Sequence, residues 1–409
     1  MQIMKIAFIT IAYPRNSSES NLYSDLMEEF AGNGHTVYVI CSIEKRYGKE
    51  THLITESNGI KVLRVKTGNI TSNPNYVTKG IALLQFQSQL IEGIKKNISN
   101  VLFDLILYST PPIQYNKIIR YLRKKSNAST YLLLKDIFPQ NAVDLGLLAK
   151  WNPVYWYFKQ KEKETYQLSD FIGCMSQANV NYLKDNNPCL KTENIEVCPN
   201  SIKNRSVIGK EEKSNTRSQI RKLLAISEQD LLLIYGGNLG ISQGIPFLLE
   251  IIKAYQYQPK VQFLIVGEGT WYTRIERCLK EGEYKNVIFQ KRVSSSEFRK
   301  MLLAADLGLI FLNPKFTIPN FPSRLTSYLE VGLPVIACTD KASDIGDVVE
   351  NVNCGFKVLS GDLKKFEEII ENILKSPDQL QIMSVKARDL FEKSYTTDIS
   401  YSKIISHIS

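Results

Sequence analysis

One feature constrains the fold of this 409-residue chain more than any other. Continuous apolar runs alternate with amphipathic stretches, and the series is run through twice. The first pass has KIAFITIAY, HTVYVICS, IKVLRVKT, DLILYST and NASTYLLLKDIFP as strand candidates. KIAFITIAY is a continuous apolar run, as expected of a strand buried on both faces of a parallel sheet. Between the strand candidates, SESNLYSDLMEEFAGNG carries Leu22, Leu26 and Phe30 at helical spacing before a glycine stop, and TKGIALLQFQSQLIEGIKKNI is amphipathic. The second pass offers DLLLIYGGN, VQFLIVGEG, NVIFQKRV, DLGLIFL, PVIACTD and CGFKVL as strands, with helices at IPFLLEIIKAYQ, 271–281 and 296–304. This β-α-β rhythm predicts an α/β protein built from two doubly wound, Rossmann-like domains.

The join lies between the two passes. WNPVYWYFKQKEKETYQL reads as a long aromatic and basic helix, followed by a short strand, IGCMS, and another helix. VCPNSIKNRS reads as a polar crossover, and 209–220 as a charged, polar stretch. A chain of this length exceeds one ordinary core. The expected domains are 1–203 and 204–385, with 386–409 as a C-terminal helix packing back toward the first domain.

Composition excludes several functions. The net charge of +10 suits a polyanion, a phosphorylated substrate or an anionic membrane surface. It is too evenly spread for a nucleic-acid stripe, and no zinc knuckle or RNP-type aromatic motif is present. The seven cysteines are odd in number and form no C-x-x-C pair, the usage of a reducing cytosol. Three histidines leave almost no material for a histidine metal site or a Ser-His-Asp triad. The apolar N-terminus MQIMKIAFITIAYP is short and broken by Lys5, so it is expected to be a first strand rather than a signal peptide.

Several motifs point to a nucleotide-type ligand. GGNLGISQG follows a strand and opens a helix. Its glycines, Gly237 among them, let backbone approach a phosphate, while Asn238 and Gln243 can donate to phosphate or sugar oxygens. VQFLIVGEG ends the next strand at Gly267. PSRLTSYLE opens a helix at Pro322, which brings the Ser323 hydroxyl and the Arg324 guanidinium to its start. Arg324 is either a diphosphate ligand, favoured by that context, or a solvated surface arginine. Arg292 and Val293 end NVIFQKRV, where Arg292 is either a ligand of phosphate or base, or a charged strand end.

In order and spacing these motifs resemble glycosyltransferases of GT-B fold, and most of all the retaining family 4. The resemblance covers nearly the whole chain. It rests on IYGGNLGISQG, FLIVGEG, LAADLGLIFL and PSRLTSYLEVGLPVIA in the second half. In the first half it rests on IAYP, GNGHTVYVI, LLLKDIFPQNAVDLGLL and IEVCPNSI. The nearest subgroup is similar to the N-acetylfucosamine-type transferases of bacterial capsule and O-antigen assembly. The resemblance implies two domains facing across a cleft. The donor would be a nucleoside diphosphate sugar, UDP-linked, bound by Gly237, Asn238, Gln243, Gly267, Arg292, Val293, Ser323, Arg324, Ser327 and Glu330.

Two departures stand out. Relatives often carry two glutamates eight residues apart, the second on the ribose. Here Pro319 and Ser327 occupy those positions. Ser327 then makes a weaker ribose hydrogen bond, or Glu330 one helical turn along substitutes, or donor binding is impaired. A hydroxyl keeps one donor and two acceptors, which favours altered over lost binding. The acceptor-side loops also differ. TIAYPRNSSESNL, with Tyr13 and Ser20, carries serines where relatives have glycines, and Lys135 falls where many have histidine. Asp136 either orients an acceptor hydroxyl or acts as base, or else caps the local turn ahead of Pro139.

The resemblance further implies catalysis by Asp136 and Arg324 without a metal or bound cofactor. The acceptor would be a polyprenyl-diphosphate-linked glycan at the inner face of the plasma membrane. The mixed aromatic and basic stretch VYWYFKQKEK suits a membrane–water interface. Two other readings are a non-catalytic GT-B subunit that docks another transferase, suggested by the missing glutamates, and a sugar-nucleotide epimerase, disfavoured by the scarcity of histidine.

Overall fold

The computed structural model describes residues 2–15, 19–70, 76–205 and 209–408, apart from the side chains of 76, 77 and 79–81. Residues 16–18 of the loop TIAYPRNSSESNL lie outside it. The chain forms two units. The first comprises 1–143, 148–203 and 397–409, and the second 144–147 and 204–396.

The first unit holds an eight-stranded sheet of β1 (Lys5–Thr10), β2 (Thr36–Glu44), β3 (His52–Thr55), β4 (Lys61–Thr67), β5 (Leu105–Ser109), β6 (Ser129–Leu134), β7 (Phe171–Cys174) and β8 (Ile195–Val197). Their order is β3-β4-β2-β1-β5-β6-β7-β8, parallel except where β3 pairs antiparallel with β4. The apolar runs become the buried inner strands. Phe8, Leu105 and Leu107 of β1 and β5 are fully buried in one core with Phe30 of the helix Leu22–Gly32. Asn21 caps that helix by accepting from the Tyr23 and Ser24 amides, a capping box completed by the Ser24 hydroxyl.

The chain's last helix, Thr397–Ile405, belongs to this unit and packs on Leu22–Gly32. The buried His35 fastens it. The Met4 amide donates to His35 Nδ1 at 3.2 Å, which leaves the proton on Nε2 to donate to the Tyr401 hydroxyl at 3.0 Å. Burial lowers the His35 pKa from 6.5. A folded-state pKa below the unfolded value favours the neutral ring, so the contribution is complete above pH 6.5 and is lost as pH falls below it. Thermal unfolding followed by circular dichroism should show a steeper drop in Tm below pH 6.5 for the native protein than for His35→Gln. Parallel curves would remove His35 as the cause.

The second unit holds β9 (Leu231–Asn238), β10 (Val261–Glu268), β11 (Val287–Gln290), β12 (Leu307–Phe311), β13 (Val335–Thr339) and β14 (Gly355–Leu359). All pairs are parallel, in the order β11-β10-β9-β12-β13-β14. The strand order reverses between β9 and β12, a switch point where open α/β sheets leave a crevice at the strands' carboxyl ends. The helix Ile245–Ala254, at the heart of the expected IPFLLEIIKAYQ, buries Phe247, Leu248, Ile251 and Ile252 against this sheet.

Three expectations change. The polar stretch 209–220 is a helix, Lys210–Leu223, held through the buried Arg221. VCPNSIKNRS is not wholly a crossover, because β8 reaches Val197. The returning segment is shorter than 386–409. Met383, Ala387 and Phe391 of the helix Gln379–Ser394 are buried, and Arg388 Nη1 donates to the Glu330 carbonyl at 2.6 Å, so that helix stays in the second unit and only 397–409 belongs to the first.

Candidate active site

Several carboxyl-end segments of the second unit converge on one cavity of about 600 Å³. β9 contributes Gly236, Gly237 and Asn238, and β10 contributes Val266, Gly267 and Glu268. Glycine is required twice here. Gly237 has φ +124°, outside the range that L side chains favour. A Cβ on Gly267 would stand 2.0 Å from the Gly237 carbonyl oxygen, so the two strand ends approach closely only without side chains. Backbone therefore lines this wall.

Arg324 opens the helix Arg324–Glu330 and enters the cavity. Its guanidinium carbon lies 4.4 Å from the centre of the Tyr235 ring, and Nη2 donates to Gln243 Oε1. The Tyr235 hydroxyl donates in turn to the Asn238 carbonyl at 2.8 Å. Nη1 is buried and has no hydrogen-bond partner among the described residues. A buried donor left unmet costs free energy that a ligand oxygen would recover.

The structure gathers Gly237, Asn238, Gln243, Gly267, Arg292, Val293, Ser323, Arg324 and Ser327 around this one space. Gln243 spends its carbonyl on Arg324, while its amide reaches the Ser242 hydroxyl at 3.2 Å. Arg292 forms an exposed 3.3 Å pair with Glu268. Glu330 corrects the expectation. It does not line the cavity, its carboxylate is buried, and it accepts from Arg299 Nε at 3.0 and 3.1 Å. A buried carboxylate needs such a partner, and the helix Ser295–Ala304 supplies it. Ser327, not Glu330, faces the space.

The remaining expected residues lie in the first unit. Asp136 follows β6, and its carboxylate accepts from Asn141 Nδ2 at 2.9 and 2.7 Å. Burial pushes its pKa up to about 6, against the opposing hydrogen bonds of the Ile137 backbone and Asn141. Lys135 points Nζ at the Cys198 carbonyl at 3.3 Å, and burial lowers its pKa. Tyr13 is buried, its carbonyl accepting from Arg64 Nη1 at 3.2 Å, and Ser20 is half-buried.

Reading the sequence alone misses Phe298, Ser295, Glu268 and Pro322 as cavity residues, and Asn141 as the partner of Asp136. Glu268 was within reach, one residue beyond Gly267. Phe298 sits in the helix Ser295–Ala304, and nothing local in the sequence shows that it turns toward this cavity.

Comparison with known proteins assigns the unit that holds the cavity. Residues 216–390 match the family of glycosyl transferases group 1. The glycosyl transferases group 1 domain thus includes every residue lining the cavity. Over 312 residues the chain is 21% identical to the probable glycosyltransferase WbjE of Pseudomonas aeruginosa, covering 73% of each. It is 23% identical to the putative colanic acid biosynthesis glycosyl transferase WcaI of Escherichia coli K12, covering 57% of this chain and 56% of that one. The solved Alr3699/HepE of Anabaena, in complex with UDP and glucose, has the same fold at a TM-score of 0.70, with 16% identity and 99% of each chain covered. The protein is a glycosyltransferase, and WbjE and WcaI, to which it is similar, are named as a probable and a putative bacterial glycosyltransferase, WcaI of colanic acid biosynthesis.

Proposed function

We propose that the protein transfers a sugar from a UDP-sugar to a lipid-linked saccharide during assembly of a bacterial surface polysaccharide. The observation that carries this reading is the unmet Nη1 of Arg324, held by Gln243 and Tyr235 at a cavity walled by glycine backbone. As the sugar–phosphate bond breaks, negative charge grows on the leaving diphosphate. A fixed guanidinium donor in a partly water-excluded site stabilises that charge without reorganising. Ser327 takes the ribose hydroxyl in place of the glutamate that relatives use. The likeness to a protein solved with UDP supports the choice of nucleotide.

The finer reading places the enzyme among the retaining family 4 transferases, near the N-acetylfucosamine-type group. GGNLGISQG and DIFPQNAVDLGLL support it. Retention through the donor's own phosphate asks for no protein nucleophile, which agrees with a histidine-poor chain. Arg324 supplies positive charge that a divalent metal would otherwise bring, and turnover that survives EDTA would agree with that. Asp136 orients the acceptor hydroxyl or takes its proton. For contact with an anionic membrane the support is Trp151, 83% exposed, with Val154 and Tyr157 on the outer side of the helix Pro153–Leu168. Among the described residues no helix is long and apolar enough to cross a membrane.

The experiment is a thermal-shift panel of UDP-, GDP- and dTDP-sugars, followed by turnover of the stabilising donor. Stabilisation by UDP-sugars, with release of UDP, is expected. No response to any nucleotide sugar would refute the reading. A pH profile tests Asp136 separately. Because its ordinary pKa of 3.8 is raised to about 6, the active carboxylate forms as pH rises. kcat/KM should therefore climb through pH 6, and Asp136→Asn should flatten the profile at a low level.

A further inference from the structure

The helix Pro153–Leu168 presents two different outer faces. At about 100° per residue, Val154 and Tyr157 share one side, and Trp156, Lys159, Gln160, Lys163 and Gln167 share another, centred about 135° away. The second face, with Asn186 at the end of the helix Gln177–Asn186 and residues 187–190 after it, bounds a separate groove of about 350 Å³ in the first unit.

Its lining has a definite chemistry. Trp156 offers an aromatic face and is 61% exposed. The side chains of Gln160, Lys163 and Gln167 have no hydrogen-bond partner among the described residues. Asn186 and Asn187 also line the groove and donate their amides to the Tyr182 and Leu183 carbonyls, at 2.9 and 3.0 Å. Among the described residues no carboxylate lines the groove. Glu162 on the same helix is buried and taken by Lys159 Nζ at 2.6 Å and the Tyr166 hydroxyl at 2.9 Å. Lys163 has no ion pair among the described residues and lines the groove together with these amides and Trp156.

We propose that this groove is an accessory binding site for an acidic saccharide. The C–H face of a sugar ring packs on Trp156, the amides of Gln160, Gln167, Asn186 and Asn187 exchange hydrogen bonds with hydroxyls, and Lys163 takes a carboxylate or phosphate on the sugar. A lipid surface fits less well. The groove is concave and carries Lys159, Lys163 and four side-chain amides beside Trp156, whereas the exposed Val154 and Tyr157 stand outside it. A volume of this size holds one or two sugar rings. The site does not involve the donor cavity, so its failure leaves the donor reading intact.

Isothermal titration of the full chain with tetragalacturonic acid, maltotetraose and phosphatidylglycerol vesicles tests this. Saturable binding of the acidic tetrasaccharide is expected, weakened about 10-fold by Lys163→Gln and by Trp156→Ala, with the neutral tetrasaccharide at least about 10-fold weaker. Both side chains are exposed, and unchanged UDP binding would verify that each variant is folded. The proposal is overturned if nothing but vesicles binds, if the neutral sugar binds equally, if the variants bind the acidic sugar as the native protein does, or if no ligand binds.

Discussion

Arg324→Ala should lower turnover of the donor about 10²- to 10³-fold, the usual effect of deleting one fixed donor to a developing oxyanion. The fold should persist, because the side chain is only partly buried and its partners are Gln243 and the Tyr235 ring. Arg324→Lys should recover little. A lysine keeps the charge but lacks the planar fork that reaches Gln243 through Nη2 while leaving Nη1 for the ligand. The ratio of kcat/KM between variant and native enzyme at fixed pH gives the answer directly. A loss under about threefold would mean that the guanidinium does not meet the departing diphosphate.

Arg221→Met should destabilise the second unit by about 3–5 kcal/mol, the range seen when one partner of a buried ion pair is removed. The guanidinium is fully buried. Nη2 meets Asp306 Oδ2 at 2.6 Å, Nε meets the Ala304 carbonyl at 3.0 Å, and Nη1 meets the Ser227 and Asp230 carbonyls at 2.6 and 3.0 Å. Asp306 Oδ2 also accepts from the Leu232 amide at 2.7 Å, so one arginine ties the helix Lys210–Leu223 to the starts of β9 and β12. Urea denaturation should show a lower midpoint at unchanged slope. An unchanged midpoint would show that water replaces these contacts without cost.

The same helix shows why part of the fold was not legible in the sequence. Lys210–Leu223 buries a guanidinium rather than an apolar stripe, so apolar periodicity gives no signal there. β3 is a four-residue, mostly exposed edge strand, and β8 has three residues, too short for a pattern to stand out. The inner strands were legible because burial on both faces demands the continuous apolar runs seen in DLLLIYGGN and PVIACTD. The glycine turn after β9 and Arg324 could be read for a similar reason, since each sits at a fixed place in the β-α unit. The pairing of Glu330 with Arg299, 31 residues away, could not, because nothing local fixes which helix turns toward which. Phe298 was hidden in the same way.

A crystal soaked with UDP tests the central claim most directly. A diphosphate oxygen is expected within hydrogen-bond distance of Arg324 Nη1, with the ribose beside Ser327 and glycine backbone of β9 and β10 along the phosphates. UDP bound away from this cavity, or in it with Nη1 still unmet, would contradict the claim.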